Sequence, residues 1–346
     1  MKRDKKGYIW NFIFIGGMTV LALYFSLKDQ YHEVMKLIFG IPWYWLLIIG
    51  LWGLLGNLIG GKILCLYARY FRKDFLLREG IINSFVGSFF SGITPSSTGG
   101  QFVQVYLFKK QGISYSGGAS ILWTDFMLYQ TSLVLFVTVL FILKFQHYLN
   151  MMNQALMFFI FLGYIINVII ILLLWMMILK PSVYLKLCNG GIRVLKLLHI
   201  IKDEQQAKIK AYEKVSLFSN NIKNLKKEKL VFMKSICWNL LRFIIQFMLP
   251  WIIVQALGYK IGVYELIDYM ALSSFVVMAN TFIPIPGASG GSEFVFSTLF
   301  SQVLPQVALA SSVMIIWRFS TFHLVMLVSG IMCMIQRYRY HYRVNL

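Results

Sequence analysis

The sequence predicts an all-α polytopic membrane protein: about six full transmembrane helices plus two Pro/Gly-broken re-entrant hairpins arranged as an inverted repeat. Three observations carry that reading. Hydrophobic residues make up 58% of the 346 and charged residues only 13%, which is more apolar surface than a water-soluble core can hide. The apolar residues gather into stretches of about twenty, the helical length that crosses a ~30 Å hydrocarbon core. Finally, two apolar stretches, one in each half, are interrupted by near-repeats. The first is Pro95-Ser-Ser-Thr-Gly99-Gly100-Gln101-Phe102-Val103, and the second is Pro286-Gly-Ala-Ser-Gly290-Gly291-Ser292-Glu293-Phe294-Val295. Such paired breaks, in corresponding positions of two halves, point to a transport site.

Taken in order, residues 8–27 follow the basic start Lys2, Arg3, Lys5 and Lys6 and end at Lys28-Asp29. The run exceeds the apolar core of a signal peptide and lacks a small-residue cleavage site, so it reads as the first permanent span. Further spans are expected at 42–61, 118–143, 155–179, 235–257 and 307–335. The segments 79–108 and 264–304 are apolar but broken by Pro and Gly, which uncouple backbone hydrogen bonds and suit re-entrant hairpins. The chain is expected to form one domain over 1–346: a first half (1–179), a basic linker (180–234) and a second half (235–346).

Charge sets the orientation. The formal net charge of +20 could suggest nucleic acid, but the cations sit in short runs between apolar stretches, as the positive-inside rule expects. The N-terminus, the stretch Lys62, Arg69, Arg72, Lys73 and Arg78, the linker, and the tail with Arg337, Arg339 and Arg343 are basic. These are expected on the cytoplasmic side of a bacterial cell membrane, with both termini there. The first hairpin then enters from the cytoplasmic face and the second from outside, so their tips can meet near mid-membrane.

The linker holds thirteen Lys or Arg against four Asp or Glu. Its residues Ile209, Tyr212, Val215, Phe218, Ile222 and Leu225 recur at helical spacing, which predicts an amphipathic helix. That helix is either a surface for anionic lipid or a soluble partner, or a solvated connector packed on the bundle. A second copy of the chain is the other protein partner left open. Cys65, Cys188, Cys237 and Cys333 are isolated, the five histidines are scattered, and no metal-ligand spacing occurs, so neither a metal nor a cofactor is expected.

Thr98-Gly99-Gly100-Gln101 has the form of a capping box, and Gly290-Gly291-Ser292-Glu293 is a weaker version with Gly at the cap. Each predicts a half-helix opening inside the membrane, whose free N–H groups and positive dipole end suit a phosphate. The plainer reading of either tip is a loop break at a tight helix crossing. Arg318, Arg242 and Asp125 fall within predicted spans, where charges mostly face cavities or partners. Arg318 and Arg242 suit a lipid phosphate, with Glu293 and Asp125 as balancing charges or as contacts for a cationic headgroup. The competing reading is a structural ion pair such as Glu293 with Arg318. Tyr129 and Gln130 lie near Asp125 in sequence and complete the candidate set.

With these motifs placed, the chain resembles the integral-membrane part of the lysylphosphatidylglycerol synthase and flippase family. The resemblance rests on Thr94–Ile113, the Asp125–Gln130 stretch, Pro284–Glu293 and Trp317-Arg318. Many family members carry an acidic residue where this chain has Gln101. The family's synthases add a soluble domain that transfers an aminoacyl group to phosphatidylglycerol. The resemblance implies the lipid-translocating part, acting on a phospholipid, an aminoacyl-phosphatidylglycerol or a polyprenyl-phosphate lipid. A phosphatidylglycerol lysyltransferase-type enzyme, or its membrane subunit, and a non-transporting membrane scaffold are the competing functions; no nucleophile-base constellation or nucleotide loop supports the enzyme.

Overall fold

A computed structural model describes residues 31–94, 99–145, 147–148, 154–179, 181–197, scattered positions between 203 and 224, 228–280 and 285–344. The expected first span (8–27) and Thr98 lie outside the described residues. All regular structure among the described residues is helical, as a chain that must satisfy its backbone inside lipid requires.

The short helix α1 (Tyr31–Phe39) precedes α2 (Trp43–Phe71), which starts at Pro42 and runs 29 residues without an internal proline. It is followed by α3 (Leu77–Gly92) and α4 (Gly99–Lys110), then α5 (Tyr115–Leu143), whose first turn is capped by the Ser114 hydroxyl accepting from Gly117 N at 3.0 Å. Next come α6 (Gln154–Leu179) and α7 (Pro181–Leu197). Helices α8 (Lys229–Phe247) and α9 (Leu249–Ala256) form one span bent ahead of Pro250. Helices α10 (Leu266–Asn280) and α11 (Gly291–Phe300) flank the second break. The last span joins α12 (Val307–Arg318) to α13 (Leu324–Val344) through a single π-helical turn, Phe319–His323.

Among the described residues, four helical stretches are long and apolar enough to cross a membrane: Trp43–Phe71, Tyr115–Leu143, Lys229–Ala256 and Val307–Gln336. With the 26 residues of α6, they cover five of the six expected spans. The protein is an all-α, multi-pass membrane protein.

Both broken segments fold as hairpins. Helices α3 and α4 pack antiparallel, joined across their middle by Asn83 Nδ2 donating to Gln104 O (3.4 Å) and Gln104 Nε2 donating to Asn83 O (3.3 Å). At the base, Gln111 Nε2 donates to Glu79 O (3.1 Å), and Arg72 ties Glu79 to the Gln111 carbonyl. In the second hairpin, Tyr269 of α10 and Phe300 of α11 bring the base together with ring centroids 5.7 Å apart.

The two bases lie at opposite ends of α5, whose 29 residues extend about 43 Å. One end follows α4 and abuts Phe71 through Gly117. At the other, Lys144 Nζ pairs with Asp268 Oδ2 at 2.6 Å and the Tyr148 hydroxyl donates to Asp268 Oδ1 at 3.1 Å. Burial, and then the Asp268 carboxylate, raises the Tyr148 pKa well above that of an ordinary tyrosine, so the phenol stays a donor. The first arms of the hairpins, 16 and 15 residues, reach about 24 and 22 Å. Each is too short to span, and together they match the length of α5, so the tips meet part-way. The contact is visible: Gly92 at the first tip and Gly287 at the second both abut the Phe322 ring.

Helix α2 is the common wall. Its glycines allow close crossings, with Gly61 against the Ile81 backbone of α3 and Gly53 against Ser320 of the π turn, the small-residue packing expected between helices in lipid. The linker departs from expectation in part. Ile209 and Tyr212 are each 60% exposed, whereas Ile222 is buried against the Ile63 and Tyr67 cluster, with Asn221 donating to Ser116 Oγ at 3.3 Å. The described part of the amphipathic face is therefore packed only near its C-terminal end. Val215, Phe218 and Leu225 lie outside the described residues.

Candidate functional site

The sequence-predicted site residues separate into two clusters at neighbouring depths along α2. The first surrounds the tip of the second hairpin. Gly287, Ala288 and Gly290 all have positive φ (62°, 50° and 85°), which folds the chain tightly between α10 and α11. Glu293, in the first turn of α11, is 1% exposed and accepts from Gly290 N and Ser292 Oγ, both at 2.8 Å through Oε2. It thus forms half of a capping box and neutralises the helix N-terminus that would otherwise suit a phosphate. Its other oxygen lies 2.8 Å from Arg318 Nε, an ion pair set too far off line to count as a hydrogen bond. Arg318 Nη2 donates to Gly287 O (2.5 Å) and Ser289 Oγ (3.3 Å), and the guanidinium stacks 4.2 Å above Phe322. On the α11 side, Phe296 stacks on Trp317 with centroids 4.7 Å apart. Of the two readings weighed for Arg318 and Glu293, the geometry is that of the structural ion pair.

The second cluster surrounds a cavity of about 160 Å³ between α2, the first hairpin, α5 and α8, lined by Asn57, Gly60, Leu64, Ser84, Gly87, Ser88, Ser91, Gln104, Asp125 and Arg242. Asn57 lies halfway along α2 and Arg242 halfway along Lys229–Ala256. Asp125 is about 16 Å into α5, so the cavity sits near mid-depth. Ser88 Oγ donates to Asn57 Oδ1 at 2.8 Å, and Gln104 is oriented by its contact with Asn83. Asp125 and Arg242 face the same space with no ion pair between them among the described residues. Asp125 Oδ1 and Arg242 Nε are buried without a hydrogen-bond partner, and the Arg242 guanidinium rests 5.3 Å from the centre of the Tyr129 ring.

Several expectations are corrected. Gln101 is exposed and caps nothing among the described residues; the free Gly99 N–H donates instead to Thr94 Oγ1 at 2.9 Å. Thr98, the cap of the box that looked stronger in sequence, lies outside the described residues, whereas the Glu293 half of the weaker box forms. Gly99 and Gly100 open α4 as expected but do not line the cavity, and neither do Gly290, Gly291 or Ser292. Gly100 instead abuts Ser91 and the Gly87 carbonyl, serving the helix contact of the plainer reading. Gln130 donates to Asn167 Oδ1 of α6 at 3.1 Å and is a packing residue. Sequence reasoning missed Asn57, Ser84, Ser88, Ser91 and Gln104. The available signal was the spacing of Ser84, Ser88 and Ser91 on one face of a helix inside an apolar segment.

The family model described as the lysylphosphatidylglycerol synthase TM region matches residues 9–329. The chain belongs to this family. A UPF0104 membrane protein of Pyrococcus horikoshii is 26% identical over 263 residues, covering 75% of this chain and 76% of that protein. No solved structure matches the chain. The matched residues take in both hairpins and both clusters, the mid-membrane cavity included.

Proposed function

We propose that this membrane protein of the lysylphosphatidylglycerol synthase TM family translocates a lipid headgroup, of a phospholipid or a polyprenyl-phosphate lipid, between the two leaflets. The cavity lined by Asp125 and Arg242 carries the reading. Moving a phosphate through hydrocarbon without compensation is prohibitive, so a translocator must hold replacement polar groups at mid-depth. Asn57, Ser84, Ser88 and Gln104 offer such groups, and Arg242 adds a cation whose guanidinium is left for a ligand. Two hairpins with bases at opposite ends and tips in contact through Phe322 suit alternate opening toward either face. In this proposal the basic ends of the spans face the cytoplasm of a bacterial cell.

Reconstitution into liposomes with fluorescent lipids, using dithionite to quench the outer leaflet, tests it. The wild type is expected to expose inner-leaflet lipid faster than protein-free vesicles, and Arg242→Ala is expected to slow this at least tenfold. Folded protein that moves no lipid, or a fully active Arg242→Ala variant, would overturn the reading.

A further inference from the structure

We infer that the cavity selects a headgroup with one negative and one positive charge, a zwitterionic phospholipid, with its phosphate at Arg242 and its ammonium at Asp125. The inference rests on the translocation reading and narrows its substrate. Its ground is the relation between two side chains. Asp125 from α5 and Arg242 from α8 line one space of about 160 Å³, yet they make no ion pair with each other, and each keeps a buried atom without a hydrogen bond among the described residues. The other buried mid-membrane pair, Glu293 and Arg318, is mutually neutralised at 2.8 Å and adds no net charge.

A ligand carrying only a phosphate satisfies Arg242 but meets the Asp125 carboxylate as a like charge, and a dianionic phosphate monoester does so more strongly. A headgroup with an excess of ammonium leaves the opposite imbalance. A group with one of each compensates both side chains and leaves the site neutral, which is the condition for burying charge in a low-dielectric interior. At about 30 Å³ per water, the space holds on the order of five waters, or a headgroup of similar bulk. The Ser84 hydroxyl and the Asn57 amide line the same space and can donate to the phosphate without adding charge, while the Tyr129 ring lies beside Arg242.

The test uses the full chain in liposomes and compares phosphatidylethanolamine with phosphatidylglycerol, both labelled on an acyl chain because a label on the amine removes the charge in question. We expect phosphatidylethanolamine to move at least tenfold faster. Asp125→Asn is expected to bring that ratio to near one and Asp125→Glu to preserve it, while Arg242→Gln slows both lipids. Equal rates in the wild type, or an unchanged ratio in folded Asp125→Asn, overturn the inference and leave translocation standing. A parallel measurement follows thermal stability in detergent with dihexanoyl-phosphatidylethanolamine or dihexanoyl-phosphatidylglycerol. If neither labelled lipid moves, selective stabilisation by the zwitterion that is lost in Asp125→Asn upholds the inference while translocation fails. Absence of that selectivity, in protein that moves no lipid, ends both.

Discussion

Arg318, buried, and Arg242, half-buried, both lie near the middle of a span in the second half of the chain, but their surroundings differ. Arg318 meets a carboxylate, a backbone carbonyl, a hydroxyl and an aromatic face, all belonging to the second hairpin or the turn beside it. Arg242 meets one aromatic ring and a polar cavity. The second hairpin's tip is thus fastened from within, whereas the first hairpin borders a space where charge is left over. A buried charge in a membrane protein signals function by default, and these two show that its partners decide which function. Where the protein supplies a counter-charge in contact, the charge holds the fold; where it does not, the charge is available to a ligand.

The largest expected effect breaks the fastened side. Arg318→Ala leaves Glu293 buried without its counter-charge, and removal of one partner of a buried pair costs about 3–5 kcal/mol. Thermal unfolding in detergent should fall sharply, and the paired replacement Glu293→Leu with Arg318→Met should recover much of the loss, because no charge then remains buried. If Arg318→Ala melts like the wild type, the two arginines do not differ as described.

The second prediction tests the other side. Arg242→Ala removes a cation–π contact worth roughly 0.5–2 kcal/mol together with an unsatisfied buried charge, terms that oppose one another. Stability should move by no more than about 1 kcal/mol, in the same melt, while lipid movement falls at least tenfold. A collapse in stability comparable to that of Arg318→Ala would erase the contrast.

Much of this arrangement was legible in the sequence, and the failures are instructive. Apolar length and Pro/Gly breaks located five described spans and both hairpins, because lipid demands long uninterrupted helices and marks every exception, though the first described span runs ten residues past its expected end to Phe71. The charges Asp125, Arg242, Glu293 and Arg318 stood out for the same reason. The Glu293–Arg318 pair was one of two readings the sequence left open; the two residues are separated by 25 positions of chain and meet because Gly287, Ala288 and Gly290 reverse the backbone. The neutral lining of the cavity was hidden. Serines at helical spacing, such as Ser84 and Ser88, resemble ordinary small-residue packing until the opposing wall is known. Gly60, which admits Ser84 and Arg242 to the same place, belongs to a distant helix.

A smaller effect should come from the backbone of the fastened tip. Gly290 sits at φ 85°, a region where an L side chain costs on the order of 1–2 kcal/mol. Gly290→Ala should lower the melting temperature by a fraction of the Arg318→Ala shift and leave the charge contacts in place. A neutral outcome would mean that the tip relaxes without loss, which would weaken the picture of a rigid second hairpin beside an adaptable first one.

The smallest expected effect compares the tips residue for residue. Gln101 and Glu293 each directly precede Phe-Val, which makes them look equivalent in sequence, but Gln101 is exposed while Glu293 is 1% exposed. Register does not separate them, because each is the third residue of its helix, α4 from Gly99 and α11 from Gly291. The surroundings do: the Gly290 N–H, the Ser292 hydroxyl and the Arg318 guanidinium gather around Glu293, whereas Gln101 is exposed. Gln101→Ala should change stability by no more than about 0.5 kcal/mol, as surface substitutions do. Glu293→Gln, which keeps the shape but loses the charge that Arg318 and two neighbouring donors share, should cost about 1.5–3 kcal/mol. Parallel melts of the two variants measure the difference, and equal losses would mean that the contacts gathered around Glu293 do not set which tip is fastened.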